Sequence, residues 1–339
     1  MPSKSRSLLI GLSLLAAAVA LTGCGFKGPP PRAEGFGGVD RSRVFVTVLT
    51  GPTSGAYYPV GGAFATVLGE AGYKTAATAT GATAENVKAL MARDGDLAIA
   101  MADSAVQAYN ATDAFEGQDR ADGLRVMMSL WPSLCQIVTT ADTGIKAFED
   151  LRGKRVSVGA PNTGVEVNAR AIFAAHGMTY DDAKVGYLDF GLAVDQIARG
   201  NLDAAFVTSA AGNASIENLG ANRDLTLVPV EGEALKRLTA DGPHYVEARI
   251  PAEAYGIGQD VTTAAVMNVL LVSKDLPDAV VRDMLGVFYG DGLRQIADSH
   301  DAVRESVALE TALRGIVGID VPLHPGAKAF YASRGMSTE

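Results

Sequence analysis

Residues 44–68 read VFVTVLTGPTSGAYYPVGGAFATVL, and this stretch decides the fold. Its β-branched beginning, residues 44–50, predicts a short buried strand. The glycine-rich residues 51–62 predict a turn, and the apolar residues that begin at Ala63 predict a helix. A strand, a turn and a helix in this order form the repeating unit of an α/β protein.

The same order returns along the rest of the chain. Further strands are predicted, with helical patterns between them, at residues 73–80, 96–102, 154–159, 184–188 and 203–208. Such alternation predicts a parallel sheet whose functional loops lie at the carboxyl ends of the strands. Apolar runs at 124–130 and 134–140 predict two more strands around Pro132, and residues 262–273 predict a long one. Two such blocks joined by long strands predict two lobes with a cleft between them.

Length and composition fit a two-lobed body and exclude several kinds of partner. The 339 residues are enough for two domains. We expect residues 43–138 and 255–339 to form the first lobe and residues 139–254 the second. A net charge of −9 would repel a phosphate backbone, which excludes nucleic acid as a partner. The two cysteines form no CxxC pair, so a disulfide framework and a thiolate zinc site are excluded.

The beginning of the chain predicts export and attachment to a membrane. Residues 1–23 combine a basic start with an apolar run that is too short for a typical transmembrane helix, as in a signal peptide. The alternative is a short anchor that is never cleaved. The sequence Leu-Thr-Gly-Cys resembles the bacterial lipobox, in which the cysteine, here Cys24, carries the lipid. Residues 24–42 are rich in proline and glycine and predict a tether between the membrane surface and an extracytoplasmic, periplasmic body.

Catalytic motifs are missing from the sequence. The four histidines are scattered, and none of the HExxH, GxSxG, GxxxxGKS or GxGxxG patterns occurs. The adjacent Asp181 and Asp182 lie in a polar stretch where a solvated pair is expected rather than an acid–base pair. We therefore predict no catalytic residue, no metal and no cofactor. An exported enzyme stays the least favoured alternative.

Four loops at strand-to-helix junctions carry small, hydroxyl and amide residues instead. They cover residues 50–59, 80–86, 159–164 and 208–213. Helix N-termini carry partial positive charge and bind carboxylates or phosphates through backbone N–H groups. Each loop alone could be an ordinary helix-capping turn. Four of them, two from each lobe, favour a cleft that holds one small anion.

Several of these segments resemble one known family. The motifs are Thr50-Gly51 with Tyr57-Tyr58-Pro59-Val60-Gly61-Gly62, Thr80-Gly81 with Thr83 and Glu85-Asn86, Asp203-Ala204-Ala205-Phe206, and Pro322-Leu323-His324-Pro325-Gly326-Ala327 with Tyr331. Together they resemble the TAXI-type solute-binding proteins of tripartite ATP-independent periplasmic (TRAP) transporters. The resemblance runs from about residue 44 to residue 335.

This resemblance implies a type II periplasmic-binding-protein fold, with two α/β lobes joined by hinge strands that close on a ligand. It implies a small carboxylate ligand, such as 2-oxoglutarate or glutamate, and a TRAP membrane subunit as partner. The expected ligand-binding residues are Ser54, Tyr57, Tyr58, Thr83, Asn86, Asn162, Thr163 and Thr208. Adjacent residues seldom point the same way, so one of the two tyrosines is expected to lie in the core.

The chain departs from the family pattern at positions expected to touch the ligand. Ala56 lies in the first loop, Met101 stands where the family often has Gln, and Val165 stands where a Thr is usual. A lost polar partner changes which buried polar groups of a ligand are satisfied. The resemblance therefore implies the fold and not the identity of the solute. An alternative function on the same fold is a ligand-sensing lipoprotein that contacts a membrane signalling partner.

Overall fold

The computed structural model describes residues 38–339, except positions 52, 54, 82, 162 and 305. The predicted signal peptide, the lipidation site Cys24 and the binding residues Ser54 and Asn162 therefore lie outside the described residues. The end of the predicted tether lies within them. Arg41–Arg43 form a 3-10 turn, and Val39 packs against a hydrophobic core. The folded body therefore begins a few residues before the predicted boundary at residue 43.

Ten strands occur in the described residues, mostly where the apolar runs predicted them. They are β1 (Phe45–Leu49), β2 (Lys74–Thr78), β3 (Leu97–Met101), β4 (Leu124–Thr140), β5 (Arg155–Ser157), β6 (Lys184–Gly186), β7 (Ala204–Ser209), β8 (Leu225–Val228), β9 (Tyr245–Ile250) and β10 (Val261–Ser273).

The α-helices of the described residues alternate with these strands. They are α1 (Tyr57–Glu70), α2 (Thr83–Ala92), α3 (Ala102–Asn110), α4 (Gly164–Ala175), α5 (Phe190–Ala198), α6 (Ala214–Asn222), α7 (Gly232–Asp241), α8 (Asp278–Phe288), α9 (Leu293–Ala297), α10 (Asp301–Arg304) and α11 (Pro325–Ala332). None of these helices is long and apolar enough to cross a membrane.

All ten strands belong to one mixed sheet. The strand order is β2-β1-β3-β10-β4-β7-β5-β6, with β9 paired to β10 and β8 paired to β4. Pairs between β1, β2 and β3, and between β5, β6 and β7, are parallel as predicted. The two long central strands, β4 and β10, run antiparallel to each other and to their neighbours. They connect a first half of the sheet, around β1–β3, to a second half, around β5–β7.

The prediction of two strands around Pro132 is wrong, because β4 is continuous through this residue. Proline has no N–H to donate and is tolerated in a sheet chiefly at bulges. Pro132 lies opposite Met267 of β10, and the register between β4 and β10 shifts just after that pair. At this shift the side chain of Asn268 replaces backbone pairing between the two strands. Its Nδ2 donates to the carbonyl of Trp131 at 2.9 Å and to Ser133 Oγ at 2.8 Å.

Each half of the sheet is covered by helices on both faces. In the first half, α1, α8 and α11 cover a core that includes Phe64, Phe288 and Tyr331, while α2 and α3 cover the opposite face. In the second half, α4 and α7 pack over Phe173 and Phe206, and α5 and α6 cover the other face. Four core clusters, one on each face of each half of the sheet, confirm the predicted α/β class. The residue boundaries of the two lobes stay a prediction.

Candidate functional site

Two clusters of polar side chains lie at the carboxyl ends of strands, one in each half of the sheet. The first cluster centres on Tyr57, the first residue of α1. Its hydroxyl donates to Asn268 Oδ1 at 2.6 Å and lies 3.4 Å from Thr83 Oγ1. The Thr83 hydroxyl also accepts a hydrogen bond from the N–H of Met101, at 3.3 Å. Burial raises the pKa of the Tyr57 phenol, so the group is a neutral donor at pH 7.

The two adjacent tyrosines point in different directions, as their sequence predicts. Tyr57 makes an edge-to-face contact with Trp131, with ring centroids 5.6 Å apart. Tyr58 is 40% exposed. Both residues belong to the predicted site, but only Tyr57 joins the cluster around Thr83.

Asn86, another predicted binding residue, lies beneath the first cluster and is fully buried. Its Nδ2 donates to the carbonyls of Thr50 and Ile99 at 2.5 and 2.7 Å, and its Oδ1 accepts from Thr80 Oγ1 at 2.6 Å. The side chain thus connects the ends of β1 and β3 with the loop after β2. These bonds use both amide hydrogens of Asn86. We therefore expect its side chain to hold the loops after β1 and β2 in place.

We expect Asn86→Ala to lower the free energy of unfolding by about 2–4 kcal/mol, because the Ile99 carbonyl and the Thr80 hydroxyl lose buried partners. Urea denaturation measures this change. The control is Asn218→Ala, on the exposed side of α6, which should change stability by less than about 0.5 kcal/mol. An Asn86 variant as stable as this control would contradict the positioning role.

The second cluster centres on Thr208, near the end of β7. Its Oγ1 accepts from Asn168 Nδ2 at 3.3 Å, and Asn168 Oδ1 accepts from the Tyr245 hydroxyl at 3.0 Å. Cys135 of β4 lies opposite Thr208 in the register, and burial raises the pKa of its thiol, so it stays protonated. Thr163 lies at the start of α4 as its N-cap, accepting from the N–H of Glu166 at 3.4 Å.

The end of β3 and the start of α4 bring the two halves into contact. A Cβ atom placed on Gly164 would lie 2.6 Å from Met101 Sδ, so the methionine packs directly over this glycine. Val165 directly follows Gly164 in the chain. It is buried in the core of the second half, and its Cβ lies 2.7 Å from where a Cβ on Gly159 would be. Of the three departures from the family pattern, Met101 is the one whose side chain contacts the other half of the sheet.

Asp103, in the first turn of α3, is a buried acidic residue that the sequence analysis did not single out. Its side chain is 2% exposed. Oδ1 accepts from the N–H of Ser104 at 2.6 Å, whereas Oδ2 accepts no hydrogen bond from any residue that the structure describes. Burial raises the pKa of this carboxyl to about 6. Its charge adds to burial in raising the pKa of Tyr57 in the first cluster and of Cys135 and Tyr245 in the second.

A cavity opens beside Asp103, and we call it the α3–α4 cavity. Its volume is about 640 Å³, and α3, α4, α7 and the residues leading to Tyr245 line it. The charged lining residues are Asp103, Asp113, Glu166, Arg170, Arg237 and Asp241. Burial lowers the pKa of His244, also in the lining, to about 4, so this imidazole is neutral at pH 7. Within the described chain, no group of three His, Cys, Asp or Glu side chains could hold a metal ion.

This architecture is that of the two-lobed periplasmic binding proteins. The methylphosphonate complex of PhnD1 from Prochlorococcus marinus is similar to this chain with a TM-score of 0.51 and 13% identity, covering 76% of this chain and 90% of that one. The periplasmic sulfonate-binding protein SsuA from Methylobacillus flagellatus matches with a TM-score of 0.51 and 14% identity, covering 87% and 88%. At such identities the likeness shows the fold, and it confirms the predicted fold class.

A family model identifies the chain more specifically. The model of the NMT1-like family matches residues 48–335, which include both polar clusters and Asp103. The chain therefore belongs to the NMT1-like family.

Proposed function

We propose that this protein is an extracytoplasmic solute-binding protein that captures a small carboxylate between its two lobes. We further propose that it delivers this solute to the membrane subunit of a TAXI-type TRAP transporter and has no catalytic activity. The observation that carries the proposal is the contact between the two halves of the sheet at Met101, whose N–H donates to Thr83 of the first cluster, and Gly164, which directly follows Thr163 at the start of α4. The fold and the family support it.

Helix starts and hydroxyl groups would hold the carboxylate. In this proposal the first turns of α1 and α4 supply backbone N–H groups, whose partial positive charge attracts an anion. Thr83, Thr163 and Thr208 supply hydroxyl groups next to those turns, and Tyr57 supplies a neutral phenol. Asn162 and Ser54 complete the proposed set, and Tyr58 would cover the carbon skeleton from the cleft rim.

Closure of the lobes would trap the solute. β4 and β10 are the strands shared by both halves, so a change in their curvature moves one half relative to the other. A ligand that touches Thr83 on one side and Thr208 on the other stabilises the closed state only, and this difference drives closure. We propose that lipid on Cys24 keeps the protein at a periplasmic membrane surface, near its permease.

We expect Thr83→Val and Thr208→Val each to weaken carboxylate binding about tenfold, because each removes one hydroxyl group, half-buried at Thr83 and buried at Thr208, from the proposed site. Isothermal titration of the purified protein with 2-oxoglutarate, glutamate and other small carboxylates measures the affinity. Thr66→Val is the matched control, since Thr66 lies on the exposed side of α1 and should leave affinity unchanged. Equal affinities in all three variants would contradict the placement of the site, and no binding of any carboxylate would contradict the proposed function.

A further inference from the structure

We propose that the α3–α4 cavity binds an aliphatic amine, in its cationic ammonium form, at Asp103 and Gln107. This site is separate from the proposed carboxylate site, because none of the proposed carboxylate ligands that the structure describes lines the cavity. Binding of an amine there does not depend on the proposed function and adds a second class of ligand to it.

Two buried acceptor atoms of α3 belong to the lining of this cavity. Neither Asp103 Oδ2 nor Gln107 Oε1 accepts a hydrogen bond from any residue that the structure describes. The two side chains are four residues apart in α3, so they lie on the same face of the helix. A buried acceptor without a donor is unfavourable, and more so when it is charged. A ligand group with several N–H donors, such as an alkylammonium group, matches this pair of acceptors.

The Asp103 carboxylate has no counter-charge among the described residues. It is 2% exposed, and burial raises the pKa of its carboxyl to about 6, with no described basic side chain lowering that pKa. The Tyr245 hydroxyl, another buried polar group of the lining, donates to Asn168 instead. At pH 7 the carboxyl is therefore mostly charged. A water molecule would supply a hydrogen bond to this carboxylate but no charge, whereas a cationic donor supplies both.

The basic residues of the described lining do not supply this cation. Arg170 and Arg237 are both exposed, and Arg170 pairs with Glu166 at 2.5 Å. His244 is neutral at pH 7, because burial lowers the pKa of its imidazole to about 4. The buried part of the lining therefore keeps the negative charge of Asp103, and low-dielectric walls around such a charge raise the local concentration of cations.

The rest of the lining fits a carbon chain better than a metal ion. Three helices contribute apolar side chains to it, among them Val106 of α3, Val167 and Ala171 of α4, and Leu238 of α7. The volume of about 640 Å³ is in the range of sites that hold small organic ligands. The described part of the chain has no group of three His, Cys, Asp or Glu side chains that could hold a metal ion. An aliphatic amine combines the cation that Asp103 needs with a chain for the apolar walls.

Ligands that separate the charge from the carbon chain test the assignment. The purified protein would be titrated by calorimetry, in phosphate buffer at pH 7, with n-butylamine, 1-butanol and ammonium chloride. We expect n-butylamine, which is cationic at this pH, to bind about tenfold more tightly than either of the others. Asp103→Asn keeps the size of the side chain and removes its charge, and it should weaken n-butylamine binding about tenfold. Gln107→Leu removes the second acceptor and should weaken it about fivefold.

The control is Asp195→Asn, on the exposed side of α5 and outside the described lining, which removes the same charge and should leave the affinity for n-butylamine unchanged. Equal affinities for n-butylamine and 1-butanol, or an unchanged affinity in Asp103→Asn, would overturn the binding of a cation at Asp103. Ammonium chloride binding as tightly as n-butylamine would overturn the aliphatic part of the assignment. No binding of n-butylamine overturns the amine site and leaves the carboxylate function standing, because that function is measured with carboxylates.

Discussion

Replacing Arg41 with Met is expected to lower the free energy of unfolding by about 3–5 kcal/mol. The Arg41 guanidinium donates to both oxygens of Asp283, at 2.7 and 2.9 Å, and the Tyr73 hydroxyl donates to the same carboxylate at 2.5 Å. Asp283 is fully buried. Without Arg41, the buried carboxylate of Asp283 would lose its bidentate cationic partner, and burial of a charge without that compensation is strongly unfavourable. Urea denaturation of the variant and the wild-type protein measures the loss.

A neighbouring residue provides the control. Arg43 belongs to the same 3-10 turn but is exposed, so Arg43→Met should cost less than about 0.5 kcal/mol. The double variant Arg41→Met with Asp283→Leu removes both charges, and we expect it to regain part of the lost stability, because an apolar pair needs no compensation. A loss below 1 kcal/mol in Arg41→Met would show that the ion pair does not hold the start of the folded body.

Local sequence patterns predicted most of the fold because strands and helices follow short-range rules. The run at residues 44–50 became β1, and the glycine-rich turn after it leads into α1 as expected. The prediction of a break in the strand around Pro132 was wrong, because the cause of its continuity lies far away in the sequence. The missing N–H is accommodated by a register shift on β10 and by the side chain of Asn268, more than 100 residues later in the chain, and no local pattern reports this.

The same reason limits what the sequence says about the site. Thr83 and Thr208 are predicted binding residues because hydroxyl groups at strand-to-helix junctions are a local signal, and that prediction is still to be tested by binding measurements. Asn86 carries the same signal, yet the structure places it beneath the loops. Asp103 differs from Asn86, because its local sequence suggested no role in binding. An acidic residue in the first turn of a helix is ordinarily expected to stabilise the helix start. Only its burial and the unpaired oxygen distinguish it, and both depend on packing by the other half of the sheet.

We expect Asp103→Asn to raise the free energy of unfolding at pH 8 by up to about 3 kcal/mol. The pKa of Asp103 is about 6 in the folded protein, against an ordinary value of 3.8, because burial disfavours the charged form. Between these two pH values the folded state holds a proton that the unfolded chain releases. The stability linked to this proton is fully present below pH 4 and is lost as the pH rises through 6, at about 1.4 kcal/mol for each unit of pKa difference. Asparagine carries no charge and avoids the loss.

Urea denaturation at several pH values between 4 and 8 tests this expectation. The difference between Asp103→Asn and wild type should be largest at pH 8 and should fall below about 1 kcal/mol at pH 4, where the wild-type carboxyl is protonated in the folded protein and close to half protonated in the unfolded chain. Asp195→Asn, exposed on α5, should show no such trend. A constant difference across the range would mean that the folded protein already compensates the charge.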